Sequence, residues 1–407
     1  MTGAVCMYSI SHLPLKMKKI AYLVAGMLVA ASGHAQLSIT NGQHVLEISG
    51  MVSSYYNMRS LKPGEDDHQK DRFRLRDAQL QLEGRIGNTW EYELQMDFAD
   101  QAASSNGADF DPENPGLMDA YLVYKGLGFV DVQAGYGKLF YSRNSMVPFM
   151  YSAYWQRPEL TRGSLFSQRD VGVTLMKDFW NQRLHAYVGI YTGLGELSLN
   201  GDNDASGQPE YAARFEFSYP SRVRYREIDA NVSPTPLFAI GINGRYANKV
   251  LPDGEEFPAN AQGEYGLKVL NGKKYVYGFD AAFQYRGFSA QFEMHQIKGL
   301  PTLPDDPLLQ NLPSSQTKGY LLAGGYVAQA NYFIKDWHTV LSARYEELDL
   351  SDLVPGNSQR FSPAIAYQIN GFDAMVKFQY FRIWKEEAID PLKWDEQFRL
   401  GLQLTFK

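Results

Sequence analysis

One cysteine, Cys6, occurs in 407 residues, which leaves the chain without a disulfide framework. No run of 18 apolar residues occurs, so a bundle of membrane-spanning helices is excluded. Lysine and arginine total 39 against 45 aspartate and glutamate, a formal charge of -6. Binding to nucleic acid over a broad surface needs a basic excess, and there is none. Catalytic signatures are absent too. His44, His68, His185, His295 and His338 are widely spaced, with no HExxH and no pair at i, i+4, so no zinc site is expected. There is no GxSxG elbow, and Gly135-Tyr136-Gly137-Lys138 lacks the spacing and the following Ser or Thr of a phosphate loop. Catalytic residues, metals and cofactors are therefore expected to be none. The acids Asp109, Asp111 and Glu113, and Asp202 with Asp204, read as solvated loop carboxylates, with Ca²⁺ binding as the alternative.

What is present is aromatic and turn-rich. Tyr 27, Phe 23, Trp 6 and Gly 36 are the materials of strands and turns rather than helices. Near the N-terminus, Lys18 and Lys19 precede the apolar run Ile20 to Ala31, and Gly33-His34-Ala35 follows with small residues at -3 and -1. This pattern reads as a secretory signal peptide over residues 1–35, with Met17 as the true start and the mature domain as 36–407. Residues 1–35 hold Lys16, Lys18 and Lys19 and no acid, so their removal takes the formal charge from -6 to -9. It also removes Cys6.

Beyond Gln36 the apolar residues alternate with period two. Trp90-Glu91-Tyr92-Glu93-Leu94-Gln95-Met96-Asp97-Phe98 has every even position apolar and every odd one polar. Similar alternation recurs in Tyr211/Ala213/Phe215/Phe217, in Tyr275 to Tyr285 and in Phe398 to Phe406. Each segment reads as a strand with one apolar and one polar face. Sixteen are expected: 44–58, 72–86, 89–99, 117–126, 129–139, 168–177, 183–192, 210–219, 237–247, 274–286, 288–297, 319–333, 338–349, 360–369, 372–383 and 395–406. Most even-numbered connections are tight, as at Gly87-Asn88, Gly287 and Asn370-Gly371; the odd ones are long and polar. The eighth, Pro220 to Pro236, is long and breaks the pattern. Short turns on one rim and long loops on the other describe an up-and-down transmembrane barrel. A secreted β-sandwich, with the apolar faces packed on each other, is the alternative.

Three stretches carry a resemblance: RFRLRDAQLQLEGRIGNTWEYELQMDFAD, LMDAYLVYKGLGFVDVQAGYGKLFYSRNSM and SLFSQRDVGVTL. Over about residues 72–195 they resemble the phosphate-selective porin O and P family, and the likeness continues more loosely to the C-terminus. The final strand ends on Phe406, similar to the aromatic signal read by barrel-insertion machinery, although Lys407 follows it. The resemblance implies a 16-stranded antiparallel barrel in the outer membrane of a Gram-negative bacterium. It further implies a homotrimer, with membrane lipid around it and a third loop that folds inward and narrows the lumen.

The third connection, Phe140 to Gln168, is then the expected constriction. Arg143, Arg157 and Arg162, with Arg169 just beyond, outnumber Glu159 and Asp170, and arginine suits oxyanions through its planar fork. The alternative is that these arginines pair with carboxylates and pin the loop. Strand parity turns Arg214, Arg245, Arg344, Lys377 and Arg399 toward the lumen, together with Glu93 and Asp97. Arg72, Arg74 and Arg76 share parity with lipid-facing Ala78, Leu80 and Leu82, so either they lie at headgroup height or a bulge at Asp77 turns them in. The expected function is passive diffusion of small hydrophilic solutes, anions such as phosphate among them. A surface-binding or structural barrel with an occluded lumen is the second reading.

Overall fold

The computed structural model describes residues 37–65, 71–99, 116–162, 165–200, 204–257, 267–303, 307–310, 319–353, 356–385 and 394–406. The expected signal peptide and start at Met17, together with His68 and the acids Asp109, Asp111, Glu113 and Asp202, lie outside them.

Segments with period-two alternation form strands because each places one apolar row on one side of the pleat. In chain order they are β1 (Leu37–Asn41), β2 (His44–Leu61), β3 (Arg72–Ile86), β4 (Trp90–Asp97), β5 (Gly116–Tyr124) and β6 (Asp131–Lys138). Then come β7 (Arg169–Phe179), β8 (Leu184–Tyr191), β9 (Glu210–Tyr219), β10 (Leu237–Lys249), β11 (Gly272–Tyr285) and β12 (Phe288–Pro301). The last are β13 (Leu321–Ile334), β14 (Thr339–Asp349), β15 (Ser358–Asn370), β16 (Ala374–Lys385) and β17 (Trp394–Phe406). From β2 to β17 each strand pairs antiparallel with the next, and β17 returns to β2 with Phe406 opposite Gly50 and Trp394 opposite Leu61. Sixteen strands thus close into a barrel, which pairs backbone groups around the whole ring and leaves no free edge.

The seventeenth strand, β1, was not expected. Its five residues pair with β2 from Leu37 opposite Ile48 to Asn41 opposite His44. β17 occupies the same edge of β2 only as far as Gly50, so β1 covers the remainder.

Seven connections on one rim, the β1–β2 turn included, have two to six residues between strands. In the two-residue β11–β12 turn, Arg286 and Gly287 both take positive φ, 48° and 84°, the paired left-handed conformation that a two-residue hairpin matched to strand twist requires.

In β9 and β10 the residues Phe215, Phe217, Phe238, Ile240 and Ile242 are exposed, whereas Arg214, Glu216, Ser218, Asn243 and Arg245 are buried. A closed barrel has one outer face, and here it is the apolar one. Leaving a side chain such as Phe or Ile in water forfeits about 1.5–3 kcal/mol. A belt of them around sixteen strands therefore needs hydrocarbon against it. The aromatic pair Trp90 and Tyr124, with centroids 4.6 Å apart, lies at the tight-turn end of the wall. Tyr246 and Tyr275, 5.1 Å apart, lie at the long-loop end, as interfacial girdles require. No helix among the described residues is long and apolar enough to cross a membrane.

A bulge resolves the position of the arginines on β3. Ser53 is opposite Asp77 and Ser54 is opposite Leu75, which leaves Arg76 without a counterpart. The extra residue reverses the parity beyond it. Phe73, 71% exposed, and Leu75 turn outward, and Arg74 and Arg76 turn inward to line a cavity.

Candidate functional site

The third connection runs from Leu139 to Gln168 and contains a short helix, Arg143–Met146, and two 3-10 turns, Phe149–Tyr151 and Glu159–Thr161. Ser142 caps the helix by accepting a bond from the Ser145 amide at 3.1 Å. Its contacts go to strands all around the barrel. The amide of Ser142 donates to Asn243 on β10 at 3.2 Å, and Asn144 donates to Glu293 on β12 at 2.8 and 2.7 Å. Further along, the Trp155 amide donates to Gln379 on β16 at 2.7 Å, and its carbonyl accepts from Arg76 on β3 at 2.7 Å. The Gln156 carbonyl accepts from Arg344 on β14 at 2.8 Å, and its side chain accepts from Arg399 on β17 at 2.8 Å.

The cations expected at this site fall into two groups. Those of the first group are bonded to wall and loop and line none of three cavities described below. Arg143, 1% exposed, pairs with Glu216 at 3.1 Å and donates to the carbonyls of Val223 and Arg224. Arg214 is clasped by Asp280, Glu216 and Asn243. Arg245 pairs with Glu210 and donates to the Ser167 carbonyl at 2.8 Å. Arg344 is held by Gln329, Gln156 and Glu227, and Lys377 donates to Gln403 at 2.8 Å. A charge removed from water is costly unless paired, and each of the four arginines has a carboxylate, whereas Lys377 has the neutral Gln403; these deep cations fix structure.

The second group lines a cavity while keeping bonds of its own: Arg169 pairs with Asp119 at 2.9 Å, and Arg399 donates to Asn57, Gln156 and Gln397. Arg157, Arg162, Arg169 and Arg399 line a cavity of about 630 Å³ at the long-loop end. Arg59, Arg74, Arg76, Arg360 and Lys385 line it as well, against Asp77, Asp97 and Glu159. Nine cationic side chains meet three carboxylates. Two like charges about 7 Å apart repel by roughly 2.4 kcal/mol at an effective dielectric of about 20, so such a cluster favours an anion among its members. Several guanidinium groups are steadied by aromatic faces: Arg76 lies 3.6 Å over Phe149 and Arg399 4.8 Å over Phe381. Burial, then Arg169, holds Arg157 below the usual arginine range, at about 10, so it is still charged at neutral pH.

Arg157, Arg169, Gln79, Met118 and Phe149 also line a second cavity of about 410 Å³, which contains Glu93, Lys138, Asp119 and Arg222. Glu93, Glu83, Tyr121 and Gln133 in turn belong to a third, of about 270 Å³, beside the tight turn between β3 and β4. Shared lining residues set the three in a series along β2–β7. Its charge changes on the way, because Glu47, Glu83, Glu91 and Glu93 outnumber Arg85 in the third.

Glu159 pairs with Arg162 at 3.0 Å and with Arg360 at 2.9 Å. Burial pushes its carboxyl up, but the two guanidinium groups outweigh that and hold it at about 2. A depressed pKa contributes stability that is complete above the ordinary glutamate range and is lost as pH falls toward 2. Glu159→Gln is expected to destabilise the barrel by about 1.5–3 kcal/mol at pH 7, with the difference from wild type disappearing near pH 2. Denaturant unfolding in vesicles across that range measures it.

Sequence reasoning missed Arg59, Arg360 and Lys385 at the cavity. Arg59 and Lys385 lie just beyond the expected strand ends, and Arg360 shares the inward parity of Ser362 and Ala364, a signal that was available. Among the described residues no group of three or more His, Cys, Asp or Glu is placed to hold a metal ion.

A family model described as phosphate-selective porin O and P matches residues 49–352. No curated protein matches the chain in sequence. Among solved structures, the chain is similar to an anion-selective porin from Comamonas acidovorans, with 9% identity, 89% of this chain and 100% of that chain covered, and a TM-score of 0.57. It is also similar to the outer membrane channel DcaP of Acinetobacter baumannii, at 12% identity, 90% and 99% coverage and a TM-score of 0.54. A trimer form of OmpT from Vibrio cholerae aligns with a TM-score of 0.52, 10% identity, and 89% and 99% coverage.

Proposed function

The chain belongs to the phosphate-selective porin O and P family, and from that premise we propose that this outer-membrane porin passes small anions, phosphate among them. The family and fold are those of a channel rather than an enzyme. Solutes diffuse down the route along β2–β7, through a narrowing made by the third connection folded into the barrel. Arg157 and Arg169 stand where the first two cavities meet and bias the narrowing toward anions. Arg162 and Arg399, with Arg59, Arg74, Arg76 and Arg360, gather anions on the long-loop side. Asp97 and Glu93 line the same route and temper the preference. Arg143, Arg214, Arg245, Arg344 and Lys377 hold the wall and the loop. A homotrimer is proposed as the assembled form, in keeping with the trimer form of the similar OmpT fold.

The observation that carries this reading is the excess of nine cations over three carboxylates around the 630 Å³ cavity. The test is the reversal potential of purified protein in planar bilayers under a KCl gradient. Anion preference is expected, and Arg157→Ala with Arg169→Ala should lower local anion occupancy roughly threefold per charge, taking about 0.6 kcal/mol at about 7 Å in water. Cation preference in the unmutated protein, or silence of correctly folded protein, would sink the proposal.

A further inference from the structure

β9 ends at Tyr219 and β10 begins at Leu237, so residues 220–236 form a long connection on the rim where the other turns are tight. Its middle is buried: Val223, Glu227, Ile228 and Asp229 are all nearly inaccessible. The Asp229 carboxylate accepts bonds from the Ser233 amide and hydroxyl and from the Gly287 amide at 2.9 Å, which ties the segment to the β11–β12 turn. The Glu227 carbonyl accepts from Ser289 at 2.6 Å and Asn331 at 3.0 Å. Val232 takes φ +51°, a conformation that costs a β-branched residue free energy and persists only when its surroundings enforce it. The connection is therefore a fixed strap across the polar faces of β12 and β13.

The middle of that strap meets the third connection. One Glu227 oxygen accepts from the Ser152 hydroxyl at 2.6 Å and the Ala153 amide at 3.1 Å, and the other accepts from Arg344 at 3.0 Å. Ile228 packs in one cluster with Ala153, Tyr154, Phe333 and Val340. Arg226 lies 4.4 Å over the ring of Tyr151. Polar, apolar and cation–π contacts converge on residues 151–154, immediately before Arg157.

We propose that Glu227 is a positioning residue for the constriction: it fixes the third connection against the strap, and through it sets the solute size limit and the anion preference of the pore. This inference rests on the porin reading. The physical reason is asymmetry of compliance. Without the Glu227 carboxylate, Arg344 keeps Gln329 and Gln156 but loses its one anionic partner, at Nη2, and the amide of Ala153 loses its acceptor in a dry site, which is costly. β14 is locked in its ladder on both sides, whereas residues 151–156 belong to a connection. The connection moves to regain partners, and the narrowing moves with it.

The experiment compares wild type, Glu227→Ala, Glu227→Gln and Ser152→Ala, each first checked for the heat-modifiable mobility of a folded barrel. Proteoliposome swelling with a monosaccharide and a disaccharide reads the size limit, and bilayer recording reads reversal potential and open-channel noise. Glu227→Ala should raise the relative disaccharide rate severalfold, add noise and reduce anion preference. Ser152→Ala, which leaves the Arg344 pair intact, should do so to a lesser degree, and Glu227→Gln should restore most of the size limit. Folded variants with unchanged size limit, noise and reversal potential overturn the proposal even if the wild type conducts anions as expected. A wild type that does not conduct at all sinks the porin reading and this inference with it. Should Glu227→Ala not fold, Ser152→Ala and Glu227→Gln decide alone.

Discussion

Replacing Arg214 by alanine is expected to lower the unfolding free energy by about 3–5 kcal/mol, measured by denaturant titration in lipid vesicles. Arg214 is 0% exposed and stands between two carboxylates, Asp280 and Glu216, with Asn243 bonded both to it and to Asp280. Removing the guanidinium leaves Asp280 charged, or forced to take up a proton, in a site with little water. Glu216 keeps Arg143 at 3.1 Å, so the damage concentrates on Asp280. It follows that Arg214→Met combined with Asp280→Leu should cost much less than Arg214→Ala alone, because the pair is then replaced by packing rather than broken. Equal losses in the single and double variants would show that the pair stabilises the barrel through something other than mutual neutralisation. The amide of Ser142 also leans on Asn243, so this variant should loosen the start of the third connection as well.

On the opposite face, Ile242→Arg is expected to cost about 2–4 kcal/mol, against about 0–1 kcal/mol for Phe238→Arg. Ile242, 57% exposed, is flanked across the ladder by Phe215 and Phe279. It lies about midway between the rim aromatics Tyr219 and Phe238 at one end and Tyr211, Tyr246 and Tyr275 at the other. An arginine there has hydrocarbon on all sides and must reach several ångströms to a headgroup, whereas at position 238 it is already beside one. The comparison is a depth gauge made within one strand. A soluble barrel would show the same small effect at both positions, since arginine on a wet surface costs little.

These two experiments probe what was unevenly legible in the amino-acid order. Alternation in Trp90 to Phe98 and in Tyr211 to Phe217 reveals strands because lipid demands apolar residues on one face of each strand separately. That demand is local and repeats in every segment. All sixteen expected strands are present, most within a few residues of their expected ends. β1 escaped because LSITN is five residues long and has meaning only as a cover for the edge of β2 left by β17. The arginines of β3 were ambiguous because a bulge shifts parity by one, and whether it falls at Arg76 depends on the pairing with Ser53 and Ser54.

Side-chain direction followed from parity, but occupation did not. Arg214, Arg344 and Arg399 share inward parity, yet Arg214 is consumed by a neighbour two residues away and another 66 away, Arg344 by Glu227, and only Arg399 lines the 630 Å³ cavity. The length of 220–236 announced an irregular connection without saying that Glu227 would reach Ser152. Strand number, antiparallel order and the hydrocarbon belt are properties of each segment against its solvent, and the order of residues determined them. Which charges neutralise one another and which line the cavities depends on distances between segments far apart in the chain, and only the closed barrel, with two connections brought into contact, decided that.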